Sequence, residues 1–238
     1  MDLLYQQLLA PKKWSAFLDL GIWRFLWAGL SVTLQIAAAS IVLSLILGLL
    51  LAVMRSSRLP VISWIAVVYI EVVRALPVLF MIFFTWVVAS RAGLGLNLVG
   101  QASLALTIYT AAINAEIIRA GIASIERGQV EASRSLGMTY TQTMRYVVLP
   151  QALRRMVPAQ VSQIITLIKD TSLAAVIGVG DLTRRAQIIY QSEFNPIQSL
   201  FVVALIYFAI NYSLSLLTRR WELAIGGTVQ AVGPSEDH

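Results

Sequence analysis

Lys169-Asp170-Thr171-Ser172 is the densest group of side chains in this sequence able to do chemistry. It follows Ile164-Ile165-Thr166-Leu167-Ile168 and precedes Leu173-Ala174-Ala175-Val176-Ile177, so the charges sit in the middle of an apolar stretch. An ionisable group at membrane depth is costly to keep and is a candidate for function by default. Lys169 can meet a substrate carboxylate, while Asp170, Thr171 and Ser172 can serve an amino group. Gly178 and Gly180 follow, and a helix broken here would turn a half-helix N-terminus toward an anionic ligand group. The alternative is a Lys–Asp pair neutralising itself between packed helices. Glu71 and Arg74 stand three apart on one helix face. They form either an ion pair beside a kink at Pro77 or a site lining a path, with Arg74 open to anions. Glu116 and Arg119 repeat that spacing near the end of their stretch, where snorkelling and contacts with a partner subunit are expected, and Asn114 joins them. Gln35, Gln160 and Gln163 read as hydrogen-bonding glue between helices.

The elements carrying these residues must be membrane spans. Of the 238 residues, 58% are hydrophobic and 13% charged, against about 45–50% and about 25% in soluble domains. Mean hydropathy is +0.76, which excludes a disordered chain and leaves too little polar residue to cover a soluble globule. Cysteine is absent and the single histidine is His238, so thiolate chemistry, a His-ligated metal and a Ser-His triad are excluded. Five stretches are long enough to cross a bilayer: about 25–54, 59–88 with Pro77 inside, 100–122, 158–179 interrupted at Lys169 and Asp170, and 196–217. Pro77 is able to divide the second. Asp2 stands where a signal peptide would be basic, so the first stretch reads as a span that stays.

Lysine and arginine set the orientation. With the N-terminus outside, cytoplasmic segments hold nine (Arg55, Arg58, Arg127, Arg134, Arg145, Arg154, Arg155, Arg219 and Arg220) and outer segments six. That distribution, rather than the net charge of +6, decides the partner class, and it points to a bilayer and away from nucleic acid. The expected fold is an all-α polytopic membrane bundle of about five spans, N-terminus out and C-terminus in, as one transmembrane domain over 1–238. No internal repeat is visible.

Residues 123–157 form the one long polar segment between spans. A short helix over 129–137 is stopped by Gly137. Thr139 and Gln142 have capping-box spacing, opening a second short helix toward Val148 that Pro150 ends. On composition alone this is equally an amphipathic hairpin lying on lipid headgroups.

The spacing Glu131-Ala132-Ser133, three residues, Gly137, nine residues, Val147, one residue, Leu149-Pro150 resembles the EAA signature of ABC importer permeases. Ser133 replaces the second Ala of that pattern and Val147 its Ile. The resemblance extends over about 20–220, through Arg74-Ala75-Leu76-Pro77, Glu116-Ile117-Ile118-Arg119-Ala120-Gly121 and Lys169-Asp170-Thr171-Ser172-Leu173, and is to the polar amino-acid branch, glutamate/aspartate permeases above all. It implies that 123–157 is a cytoplasmic coupling loop seated in an ATPase subunit. There Glu131 offers a charge, Ala132 and Ser133 allow close approach, Gly137 permits the turn, and Leu149 and Pro150 close the motif. It also implies a second permease chain, identical or homologous, an extracytoplasmic solute-binding protein, residence in the bacterial inner membrane, and transport by alternating access. No Gly-x-x-x-x-Gly-Lys-Ser/Thr loop is present, so ATP and Mg are expected on the partner ATPase and no cofactor in this chain. In relatives the segment around Lys169 lines the translocation path. Arg74 and Lys169 supply positive charge at depth, which favours an acidic amino acid. Glu71 and Asp170 bring the balance to zero, which keeps another polar or basic amino acid open. A secondary transporter is the competing class, opposed by the missing repeat. A membrane enzyme would need clustered acids or nucleophiles that the sequence lacks.

Overall fold

The computed structural model describes residues 11–226, with side chains from Lys13 to Leu216. The side chains of Asp2, Lys12, Arg219, Arg220 and His238 lie outside that range. The described residues contain helices, turns and loops but no strand.

Helix α1, Leu20–Arg55, starts where the Asp19 carboxylate accepts the Gly21 N–H at 2.8 Å. It runs 36 residues because nothing in it breaks a helix. Ser57 and Pro60 then turn the chain into α2, Pro60–Ala75, with Pro60 at the first position, where its missing N–H costs nothing. Pro77 forbids the next helical hydrogen bond, and α3, Val78–Arg91, leaves at 112° to α2. Asn97 caps α4, Leu98–Ala123, by accepting from Gly100 N at 2.8 Å.

Contacts fix the direction of each element. Along α1 and α4, Ser40 meets the Ser103 carbonyl (3.1 Å), Ser44 meets Asn114 (3.2 Å) and Arg55 meets Glu116 (2.9 Å). Both numbers rise together, so the two helices are parallel. The bent α2–α3 pair therefore carries the chain back between them. Its Ala66 and Ile70 pack at the level of Leu51 and Ala52, and its Ile82 at the level of Ile36. Small side chains let α1 and α4 lie close, as membrane helices without a hydrophobic drive between them require. A Cβ on Gly48 would stand 2.7 Å from Asn114 Cβ.

After α4 comes α5, Arg127–Ser135, then one α-turn at Tyr140–Thr143 and a π-turn at Met144–Val148. These lead without a stop into α6, Leu149–Asp170. A 3-10 segment, Thr171–Ile177, and α7, Leu182–Glu193, complete a second bent pair, at 52°. Last comes α8, Pro196–Gly226. Val148, Ala152 and Met156 pack with Ile118 and Ile122, whereas Leu182, Ala186 and Ile189 pack with Leu26 and Leu30, so α6–α7 runs against α1. Val202 and Val203 lie by Leu26 and Leu30, and Ile210 and Leu214 by Ala37 and Ile41, so α8 runs with it. Among the described residues three helices are long and apolar enough to cross a membrane alone, and the number rises to five if each bent pair is one span.

Two proline expectations are corrected. Pro150 does not end a helix. It occupies the first turn of α6, and the wider π-turn before it absorbs the hydrogen bond that Pro150 cannot make. Pro158 does not start a helix but lies inside α6, which begins nine residues earlier. Neighbouring helices tolerate such an interior proline in membrane proteins.

Candidate functional site: a path segment and an exposed loop

Lys169 and Asp170 are the last two residues of α6. Lys169 is exposed, Asp170 half-buried, and no ion pair joins them among the described residues. Thr171 is fully buried and donates to the Ile168 carbonyl at 2.6 Å, so its hydroxyl serves the helix end. Ser172 is half-buried. The expected half-helix N-terminus is not at this break. The chain tightens into the 3-10 segment, and Gly178, at φ +87, turns it before α7 starts eleven residues after Thr171, at Leu182. That N-terminus is already filled. The buried Asp181 accepts from Arg184 N at 2.8 Å, and Thr33 of α1 accepts from Leu182 N at 3.1 Å. An anionic group would meet the Asp181 carboxylate there.

Glu71 and Arg74 are both exposed on the last turns of α2. They do not pair with each other as their spacing allowed. Glu71 lies 3.9 Å from Arg55 Nη1 of α1, and Arg74 makes no ion pair among the described residues. No hydrogen bond or ion pair connects this pair with Lys169 or Asp170 within the described chain. The strong link is elsewhere. Glu116 accepts Arg55 Nη1 at 2.9 Å with one oxygen and Arg119 Nε at 2.9 Å with the other. The sequence carried the Glu116–Arg119 spacing but gave no sign of Arg55, 61 positions away.

Asn114 donates to Ser44 at 3.2 Å, joining α4 to α1. Gln160 and Gln163 border the same small cavity, while Gln35 is exposed on α1 and makes no interhelical hydrogen bond among the described residues. No group of three or more His, Cys, Asp or Glu able to hold a metal occurs among the described residues.

The loop is built around Gly137. Its φ of +80 is a conformation that costs an L side chain about 1–2 kcal/mol. There Gly137 N donates to the Arg134 carbonyl (3.0 Å) and Met138 N to the Ser133 carbonyl (3.2 Å), closing α5. The Thr139–Gln142 capping box is present in full. Glu131 and Ala132 are exposed, as are Pro150 and Leu149. Ser133 is not: it is 4% exposed and turned inward, its hydroxyl lying between the Val130 carbonyl (2.7 Å) and Thr143 Oγ1 (3.0 Å). Ser133 therefore clamps the loop and presents nothing to a partner. Leu136, at 83% exposure, and Tyr140, at 61%, flank the turn and were not singled out from sequence, because exposure of an apolar residue leaves no local signature.

A family model described as the binding-protein-dependent transport system inner membrane component matches residues 44–225. The probable glutamine ABC transporter permease protein GlnP of Bacillus subtilis (strain 168) is 49% identical over 204 residues, covering 84% of this chain and 93% of that protein. The glutamate transport system permease protein GluD of Corynebacterium glutamicum is 36% identical over 222 residues, covering 90% and 80%. Among solved structures, the crystal structure of an amino acid ABC transporter with histidines superposes with a TM-score of 0.80 at 35% identity, covering 84% of this chain and 93% of that one.

Proposed function

Because the chain belongs to the binding-protein-dependent transport system inner membrane components, we propose that it is the membrane subunit of an ATP-driven importer carrying glutamine or glutamate into the cytoplasm. An amino-acid permease of the bacterial inner membrane is the broad reading, and similarity over most of the chain to GlnP and GluD carries it. The side-chain class rests on the same two relatives together with the charges of Arg74, Lys169, Glu71 and Asp170, which sum to zero. A neutral amide side chain suits that balance, so glutamine stands ahead of the acidic amino acids. The α-carboxylate of the substrate is assigned to Lys169 and its amino group to Asp170, with Thr171, Ser172, Arg74 and Glu71 along the path.

ATP and Mg belong to a separate cytoplasmic ATPase subunit that takes the exposed loop. Glu131 and Ala132 face that partner, Gly137 shapes the turn, and Ser133, Leu149 and Pro150 hold the loop on α6. The end of the bundle bearing Arg55, Arg127 and Arg155 is cytoplasmic, and the opposite end meets a solute-binding protein. A second permease chain completes the path, and closure of the ATPase pair switches it outward. The deciding experiment is uptake of labelled glutamine, glutamate and arginine by the reconstituted complete transporter. Saturable, ATP-dependent glutamine uptake with weaker glutamate uptake supports the reading. Uptake of arginine alone, or uptake driven by an ion gradient without ATP, would sink it.

A further inference from the structure

A cleft of about 780 Å³ opens between the C-terminal ends of α1 and α4 and the first three turns of α6. Its walls are aliphatic, with Leu45, Leu49 and Val53 facing Ile122, Leu153 and Met156. Its size is in the range of about 300–1,000 Å³ typical of small-molecule sites. It is not part of the proposed path. Gln160 lines it, and Lys169 follows nine residues later, which at 100° per residue puts Lys169 on the opposite face of α6. The walls offer a polar amino acid almost no partner.

The mouth differs from the walls. Arg119 lines it beside Ser56 and Ser57. Arg55, Arg58, Arg145 and Arg154 each adjoin a lining residue in sequence. Glu116 and Glu71 offset Arg55 and Arg119, so the positive charge left at this end is that of the exposed Arg58, Arg145 and Arg154, which make no ion pair among the described residues. An apolar slot with cationic groups at one end is complementary to a molecule with a hydrocarbon body and an anionic head.

We infer that this cleft is a binding site for an anionic phospholipid of the cytoplasmic leaflet, one acyl chain lying between α1 and α6 and the phosphate at the Arg119–Ser56–Ser57 mouth. Basic pockets between membrane helices on the cytoplasmic side bind such headgroups. The inference rests on the proposed orientation, which makes the Arg55 end cytoplasmic. Tyr140 and Met144 of the loop also line the cleft, so an occupant touches the segment that meets the ATPase.

The test uses the complete transporter exchanged into nanodiscs of equimolar phosphatidylcholine and phosphatidylglycerol, then released into mild detergent. Native mass spectrometry counts the retained lipids, and ATPase-subunit assembly is scored separately. The wild type should retain phosphatidylglycerol over phosphatidylcholine by about fivefold. Val53→Trp, which fills the slot from an exposed wall position, should lower retention of both lipids by about fivefold, taking the loss of the slot as comparable to that of one headgroup contact. Ser56→Glu should bring the ratio close to one. Leu49→Gln, which only makes a wall polar, serves if Val53→Trp does not assemble and should lower retention in the same way. Equal retention of the two lipids by the wild type overturns the inference, as does unchanged retention in the wall variants. So does a photo-crosslinker at Val53 that captures the second permease chain. Failure of the ATPase to assemble, with lipid preference intact, would count against the proposed function and leave the lipid site standing.

Discussion

Ser133 and Thr143 join the two halves of the exposed loop through a buried contact of 3.0 Å between their hydroxyls. Ser133, one of the two residues that depart from the EAA pattern, is thus the one that ties α5 to the helical turn before α6. An alanine there could pack but could not make the bond. Ser133→Ala should lower the unfolding free energy by about 1 kcal/mol, the worth of one such hydrogen bond, while leaving uptake near wild type. Thermal unfolding of the complex together with an uptake assay checks this. Loss of all uptake at unchanged stability would show that Ser133 touches the partner after all.

Gly137 has no neighbour to clash with, so backbone conformation alone restricts it. Gly137→Val should cost about 1–2 kcal/mol locally and abolish substrate-stimulated ATP hydrolysis while the protein still reaches the membrane. Glu131→Lys should do the same by reversing an exposed charge. Full stimulated hydrolysis in a reconstituted Gly137→Val complex counts against the loop as the ATPase dock.

Lys169→Ala should raise the substrate concentration for half-maximal uptake, or abolish uptake, with ATPase assembly intact, and Asp170→Asn should impair uptake too. Normal uptake by both variants would make the pair structural and move attention to Arg74. A shift of preference among glutamine and glutamate in Lys169→Ala would identify the side chain it senses.

Gly48 lets α1 and α4 approach. A new Cβ would stand 2.7 Å from Asn114 Cβ and 3.0 Å from the Ala111 carbonyl. Gly48→Val should destabilise by about 1–3 kcal/mol and reduce the yield of folded protein. An unchanged melting temperature would mean that the two helices separate more easily than their packing implies.

The parallel course of α1, α4 and α8 puts the start of α1 and the end of α8 at opposite ends of the bundle. A cytoplasmic reporter fused after Arg220 should be active and an external one inactive, with the reverse at Ser192. Opposite results at both sites would invert the orientation, and with it the assignment of the loop to the cytoplasm.

What the sequence made legible was local. The apolar run at 25–54 marks α1, Gly137 marks the end of α5, and Thr139 with Gln142 marks the next turn, because caps and apolar runs are written within a few residues. Pro77 announced a break but not its angle of 112°, which depends on what α3 packs against. Pro150 misled because a π-turn has no residue signature of its own. The partner of Glu116 was out of reach for another reason. Arg55 is brought to it by the α1–α4 packing, and no local rule looks 61 positions away. The same holds for Ser133, whose inward face is set by Thr143 once the loop has closed.

Because Pro150 does not interrupt the chain, the helix that leaves the exposed loop runs on as far as Lys169, with Pro158 inside it. Helix α6 alone has 22 residues, about 33 Å at 1.5 Å per residue. A rod of that length is a lever arm: tilting its base by about 10° sweeps its tip through about 6 Å, more than one helical turn. Such a helix delivers a displacement made at its loop end to the segment that carries Lys169 and Asp170.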